Sequence, residues 1–218
     1  ITDEHVFLAV RSAKSGPIAE GSIGAGSGTR CFGFKGGVGT SSRIVRKSFG
    51  KEFTLGVLVQ SNFGGKLSIN GAPFGLTSEG KRAARKQLLG NGSCMIVVAT
   101  DAPLSPRNLE RLAHRALHGM ARTGASMSNG SGDYVIAFST AYRIPYRATG
   151  PVKIPPLIHN DHMTPFFAAA MDATEEAIYN SIFMATTIDG KRGTAHAIDL
   201  EAVRQSLHKH NIFVEPKP

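Results

Sequence analysis

The pair Gly92-Ser93 could support chemistry because a hydroxyl follows a residue without a Cβ, directly before an apolar strand. Glycine reaches backbone conformations that other residues avoid, and these would bring the Ser93 hydroxyl onto the Gly92 carbonyl. Cleavage there would leave Ser93 as a new N-terminus that carries both a hydroxyl nucleophile and an amine base. A free α-amine has a pKa of about 7.7–8.0 and accepts protons near neutral pH. Locally, the simpler interpretation is a turn before a buried strand.

Three further positions could assist such a serine. Asn62 ends a predicted strand, where its side-chain amide could donate to a developing oxyanion or simply belong to a turn. Ser131 and Asp133 precede another strand, and that carboxylate could orient a serine or an amine, although an Asx-type turn is the alternative. Cys94 is expected to face away from Ser93, into the core, with a cysteine nucleophile as the remaining alternative.

Signals for a cofactor or a metal are weak. The glycine-rich residues 24–29 have no third glycine for a dinucleotide fingerprint, and Gly65-Lys66 is not followed by Ser or Thr as a phosphate loop requires. His114 and His118 are four residues apart on a predicted helix, but the zinc-protease glutamate is missing. We therefore predict neither a cofactor nor a metal, and interpret the glycines as structural.

The charge of the chain is unevenly distributed. Of the net +9, residues 1–92 hold 13 Lys and Arg against 5 Asp and Glu, whereas residues 93–218 hold 12 against 11. The basic cluster at residues 81–86 has no interleaved aromatic residues, so we expect a solvated linker and no nucleic-acid partner. No apolar run is long enough for a bilayer, and two cysteines fit a reducing, cytoplasmic location.

The periodicity predicts alternating helices and strands, which is typical of a layered α/β domain. Strands are expected at Phe53–Gln60, Met95–Thr100 and Tyr134–Thr140, and the second of these reads as buried on both faces. Helices are expected at Thr2–Ser15, from Ser105 with Pro106 in its first turn, from Thr164 to about Met184, and from Asp199 to about His208.

The motifs, taken in order, resemble those of the L-aminopeptidase/D-esterase family, which includes the β-peptidyl aminopeptidases. The resemblance covers essentially all 218 residues. The matching segments are Glu20-Gly-Ser-Ile-Gly-Ala-Gly26, Gly33-Phe-Lys-Gly-Gly-Val-Gly-Thr-Ser-Ser-Arg43, Gly56-Val-Leu-Val-Gln-Ser-Asn-Phe-Gly64, Gly92-Ser93 with Val97-Val-Ala-Thr-Asp-Ala-Pro-Leu104, Ser128-Asn-Gly-Ser-Gly-Asp133 with Ala137-Phe-Ser-Thr140, and Ala173-Thr-Glu-Glu-Ala177.

The resemblance implies a four-layer αββα sandwich and a precursor that cuts itself between Gly92 and Ser93. One peptidase domain, residues 1–218, would then consist of the C-terminal part of an α chain (1–92) and a β chain (93–218). Ser93 would be the nucleophile, Asn62 the oxyanion-hole amide, and Ser131 with Asp133 the pair that hydrogen-bonds the nucleophile and its amine. The expected substrates are short peptides, amides or esters, and the expected assembly is a homo-oligomer of αβ units.

Two departures from the family pattern qualify this hypothesis. Cys94 stands where an aliphatic residue is common, and the family's N-terminal portion, which helps bind the substrate amine, has no match before Ile1.

Two other functions remain as alternatives. One is an ornithine-acetyltransferase-like acyl transferase, for which a threonine nucleophile is expected instead of Ser93. The other is a non-catalytic basic binding protein.

Overall fold

The computed structural model describes residues 1–48, 50–75, 92–147, 149–191 and 193–212. Its main helices are α1 (Asp3–Arg11), α2 (Pro106–Arg122), α3 (Thr164–Phe183) and α4 (Leu200–Lys209). The strands are β1 (Arg30–Cys31), β2 (Phe34–Lys35), β3 (Val38–Ser48), β4 (Lys51–Asn62), β5 (Ser68–Ile69), β6 (Ala72–Pro73), β7 (Ser93–Thr100), β8 (Gly132–Ser139), β9 (Ile188–Gly190) and β10 (Gly193–Ala195).

A four-stranded sheet in the order β3-β4-β7-β8 organises the fold. β3, β4 and β7 pair antiparallel, whereas β7 and β8 are parallel and are connected through α2. A parallel pair needs such a crossover because the chain must return to the same end of the sheet before it pairs again. The starts of β7 and β8 therefore lie together, beside the end of β4.

The helices begin where the sequence predicts. The Ser105 side chain caps α2 by accepting the N–H of Asn108, and a proline occupies the first turn. Asp199 caps α4 in the same way, accepting the N–H groups of Glu201 and Ala202. These caps satisfy N–H groups that have no partner inside the helix.

One face of the sheet is covered by α2 and α3, and the main core lies there. Alternate residues of β4 and β7 point into it, as the two-residue period of a strand requires. The buried residues of β4 and β7 on this face are Leu55, Val57, Val59, Ser61, Cys94, Ile96, Val98 and Thr100. The Phe53 and Phe166 rings also meet here, with centroids 6.0 Å apart.

The opposite face of the sheet, which we call the open face, carries Ser93 and Asn62. The prediction that Met95–Thr100 is buried on both faces is wrong for the described residues: Met95 is 43% exposed, and Ile136 on the neighbouring strand is 60% exposed. The physical reason is that α2 and α3 pack on the other face, whereas on this face the side chains of β4, β7 and β8 that alternate with the buried ones stay partly or fully exposed. An apolar run alone shows that a strand is hydrophobic, not what covers it.

Other boundaries also shift. The first helix is shorter than the predicted Thr2–Ser15, and none of its residues is buried; its apolar stripe, which includes Val6 and Val10, is exposed. The edge strand β8 spans Gly132–Ser139, close to the predicted Tyr134–Thr140. The basic cluster at residues 81–86, predicted to be a solvated linker, lies outside the described residues. None of the described helices is long and apolar enough to cross a membrane.

Glycines let backbones approach closely around β3. A Cβ on Gly37 would lie 2.1 Å from the Gly21 carbonyl oxygen, and one on Gly39 would lie 2.0 Å from the Ala177 carbonyl oxygen in α3. Backbone atoms cannot move aside as a flexible side chain can, so neither position has room for a larger residue. Of the glycines predicted to be structural, two show the same close approach: a Cβ would lie 2.9 Å from the Gly21 carbonyl oxygen at Gly26 and 2.1 Å from the Gly124 carbonyl oxygen at Gly65.

We expect Gly39→Ala to lower the free energy of unfolding by about 3 kcal/mol, because the added methyl forces α3 away from the sheet. Gly150→Ala is the control, since a Cβ there meets nothing within 4 Å. Urea denaturation of both variants measures the difference. Equal stability of the two variants would contradict the close packing of α3 on β3.

Candidate active site

The sheet register brings the predicted nucleophile and the predicted oxyanion amide together. Asn62, the last residue of β4, is the Cα partner of Ser93, the first residue of β7, and Ser93 is in turn the partner of Gly132 in β8. Residues paired across strands project to the same face. Asn62 and Ser93 therefore share the open face at one end of the sheet, although they are 31 positions apart in the chain.

The bond before Ser93 is held by the neighbouring strand. The carbonyl oxygen of Gly92 accepts the backbone N–H of Gly132 at 3.1 Å. Gly92 itself is buried, and a Cβ there would lie only 3.1 Å from Phe63 Cα. A glycine is thus favoured at position 92 because the chain passes close to the Phe63 backbone. The same N–H that fixes the carbonyl can also stabilise negative charge on its oxygen.

The Asn62 amide has a defined orientation. Its Oδ1 accepts the backbone N–H of Arg30 at 3.2 Å. Since a backbone N–H can only donate, the atom that faces it must be the oxygen, which leaves Nδ2 and its two N–H groups on the other side. The Arg30 guanidinium also donates to the Thr194 carbonyl oxygen at 2.5 Å, which ties this segment to β10. Asn62 therefore presents a donor, as an oxyanion hole requires.

Ser131 and Asp133 lie on the β8 side of Ser93. The Ser131 hydroxyl donates to Asp133 Oδ1 at 3.0 Å, and Asp133 is the Cα partner of Cys94. In the described residues no side-chain hydrogen bond joins either residue to Ser93. The structure thus brings all four predicted residues to one end of the sheet, but pairs Ser131 with Asp133 and not with the nucleophile.

Cys94 lies behind Ser93 in the core, as predicted. Burial raises the pKa of its thiol well above the ordinary value, and Cys31 and Asp133 raise it further. Burial likewise raises the pKa of Cys31 to about 12. A thiolate is the reactive form of cysteine, so both groups are held in the unreactive protonated state at neutral pH. This environment favours Ser93 over Cys94 as the nucleophile.

Sequence reasoning missed three contributors to this end of the sheet: the backbone N–H groups of Arg30 and Gly132, and the buried side chain of Lys35. Backbone donors carry no residue-type signal, so only the fold could reveal the first two. Lys35 did have a signal, because it is a lone charge inside the apolar, glycine-rich segment Gly33-Phe-Lys-Gly-Gly. Within the described ranges, no group of three or more His, Cys, Asp or Glu residues could hold a metal ion.

Comparisons with known proteins show which family the chain is related to. The family model for peptidase family S58 matches residues 1–196. The β-peptidyl aminopeptidase BapA of Sphingosinicella microcystinivorans is 46% identical over 100% of this chain and 58% of its own length. BapA of Sphingosinicella xenopeptidilytica is 39% identical over 87% of this chain and 50% of its own length. The chain thus spans about half to three fifths of these relatives.

Solved structures agree with this assignment. The L-aminopeptidase D-Ala-esterase/amidase of Ochrobactrum anthropi, described as a variant of the Ntn-hydrolase fold, aligns with a TM-score of 0.85 and 36% identity over 98% of this chain and 59% of its own. A Burkholderia sp. β-aminopeptidase aligns with a TM-score of 0.82 and 33% identity over 99% and 60%. The predicted fold class is confirmed, and the described sheet with its two covering helices is the part of that fold seen here. The chain belongs to peptidase family S58.

Proposed function

We propose that the protein containing this chain is a self-processing serine aminopeptidase that releases an N-terminal residue from short peptides, amides or esters. The observation that carries the proposal is the register that sets Asn62, Ser93 and Gly132 side by side, with the carbonyl before Ser93 already hydrogen-bonded. The S58 assignment favours this activity over an acetyl transferase, and no observation favours the basic binding protein.

Self-cleavage would begin with attack of Ser93 Oγ on the Gly92 carbonyl carbon. The Gly132 N–H would stabilise the resulting oxyanion, since it already donates to that oxygen. The C–N bond then breaks as the Ser93 nitrogen takes up the hydroxyl proton, which leaves an ester between Gly92 and Ser93 Oγ. Water hydrolyses the ester to a Gly92 carboxylate and a free Ser93 amine and hydroxyl. The cut separates the polypeptide that ends at Gly92 from the polypeptide that begins at Ser93.

In the mature enzyme, Ser93 Oγ would attack the substrate carbonyl while the Ser93 amine takes its proton. Asn62 Nδ2 would stabilise the tetrahedral oxyanion, and the protonated amine would pass its proton to the leaving group. Water then hydrolyses the acyl-enzyme. Once the Gly92 bond is cut, we propose that the Ser131–Asp133 pair at the next strand orients the new amine. Assembly into a homo-oligomer of αβ units stays a prediction.

Ser93→Ala is expected to leave one uncut chain and no turnover, because both proposed reactions need the Ser93 hydroxyl. Intact mass spectrometry of the protein expressed from its full gene tests this: the unmodified protein should yield a fragment that begins at Ser93. Ser93→Thr is the matched control, since it keeps a hydroxyl and should still be cut. Two chains from the alanine variant would contradict the proposal.

Asn62→Ala is expected to lower kcat by about 10²- to 10³-fold with little change in KM, because an oxyanion donor acts mainly in the transition state. Asn62→Asp should lose as much, since a carboxylate still accepts the Arg30 N–H but cannot donate. Steady-state kinetics on the processed protein measures both variants. Full activity in the aspartate variant would show that Asn62 serves only to hold Arg30.

Alkylation of Cys94 by iodoacetamide at pH 8 is expected to be at least about 100-fold slower in the native protein than in guanidinium, because burial and the raised pKa suppress the thiolate. Peptide mass spectrometry follows the residue individually. Turnover should persist throughout the native incubation. Rapid Cys94 labelling with a parallel loss of activity would instead support a cysteine nucleophile.

A further inference from the structure

A fully buried lysine lies beside the candidate active site and has no part in the mechanism above. Lys35, in β2, is the Cα partner of Arg30 in β1, and its Nζ donates to three backbone carbonyl oxygens. The distances are 2.5 Å to Gly26, 3.0 Å to Thr29 and 2.5 Å to Gly36. No carboxylate among the described residues lies within salt-bridge distance of it.

The three acceptors define the protonation state of Lys35. An ammonium has three N–H groups, one for each carbonyl, whereas a neutral amine has two and would turn a lone pair toward the third oxygen. Burial, together with the charge of Arg30, lowers the pKa of Lys35 from its ordinary value, so the carbonyls must offset part of this cost. The three hydrogen bonds therefore indicate that Lys35 is a buried ammonium whose charge is stabilised by peptide carbonyls.

One of these carbonyls connects Lys35 to the oxyanion amide. The peptide group between Thr29 and Arg30 accepts Lys35 Nζ on its oxygen at 3.0 Å and donates its N–H to Asn62 Oδ1 at 3.2 Å. The same oxygen also accepts the Gly36 N–H at 3.2 Å. A single planar peptide unit thus separates the buried charge from the side chain that we assign to the oxyanion hole.

We propose that Lys35 is a positioning residue that acts on the oxyanion through the Thr29–Arg30 peptide and the Asn62 amide. Hydrogen bonds in a chain polarise one another, and a charged donor at one end gives the largest effect. The ammonium draws electron density toward the Thr29 oxygen, which makes the Arg30 N–H a stronger donor. That donor in turn draws density toward Asn62 Oδ1, which makes Nδ2 a stronger donor to an oxyanion. The inference rests on the proposed function of Asn62.

The competing explanation is that Lys35 only stabilises the fold. Its bonds to Gly26 and Thr29 hold the turn at Gly24–Gly28, so its loss is expected to lower stability in any case. A stability measurement cannot separate the two roles. The proposal differs in that the kinetic effect of Lys35 must disappear when Asn62 can no longer donate.

The test is a double-mutant cycle in the protein expressed from its full gene, with kcat expressed per mole of processed chain. Lys35→Met should lower kcat by about 5- to 10-fold with KM unchanged, because the effect is confined to the transition state. In the Asn62→Ala background the same substitution should change kcat by less than about twofold. Lys66→Met, at an exposed lysine, is the control and should leave kcat unchanged.

Equal kcat losses from Lys35→Met in both backgrounds would overturn the proposal and assign Lys35 a structural role, as would an unchanged kcat in the single variant. If Asn62→Ala alone leaves kcat unchanged, the proposed function of Asn62 fails instead. Should Lys35→Met not fold, Lys35→Gln and Lys35→Arg replace it. Lys35→Gln removes the charge and should lower kcat only where Asn62 is intact. Lys35→Arg keeps the charge and should retain more of the original kcat.

Discussion

The hydrogen-bond ladder from β4 through β7 to β8 is the constraint on which the rest of the site depends. It places the end of one strand beside the starts of two others, so Asn62, Ser93 and Gly132 are neighbours in space. A slip of one residue in the β4–β7 pairing would send Asn62 or Ser93 to the opposite face of the sheet, and a slip in the β7–β8 pairing would move the Gly132 N–H away from the Gly92 carbonyl oxygen. The packing of α2 and α3 on the other face protects the register, because a slip would also expose the buried residues of β4 and β7.

Much of this arrangement could be predicted from local sequence. Helix caps at Ser105 and Asp199 and the alternation of strands and helices follow from short-range rules, and the structure agrees with them. Pairing between strands could not be derived in that way, since it depends on contacts between residues far apart in the chain. The resemblance to a family supplied the four candidate residues, but not the Arg30 and Gly132 donors, which are backbone groups. The first helix shows another limit: its apolar stripe predicts an amphipathic helix, but the sequence does not show which surface that stripe packs against.

Backbone groups supply much of the polar environment around Ser93. Gly92 is held by an N–H of β8, Asn62 by an N–H of β1, and the Lys35 ammonium by three carbonyls. Peptide dipoles in a sheet are fixed by the fold and do not reorganise when charge appears, which is the property that electrostatic catalysis requires. The glycines around β3 contribute to this fixed arrangement, since they let the segments that carry these dipoles approach one another closely.

The position of the Gly92–Ser93 bond determines how the two polypeptides would stay together after cleavage. β4 lies before the bond and β7 after it, and the two strands share eight residue pairs. A cut at the tip of this ladder would remove a covalent link while leaving every one of those pairs in place. The two polypeptides would then behave as a single cooperative folding unit, a non-covalent dimer of fragments whose dissociation is equivalent to unfolding the sheet. Neither fragment would hold its half of the site without the other.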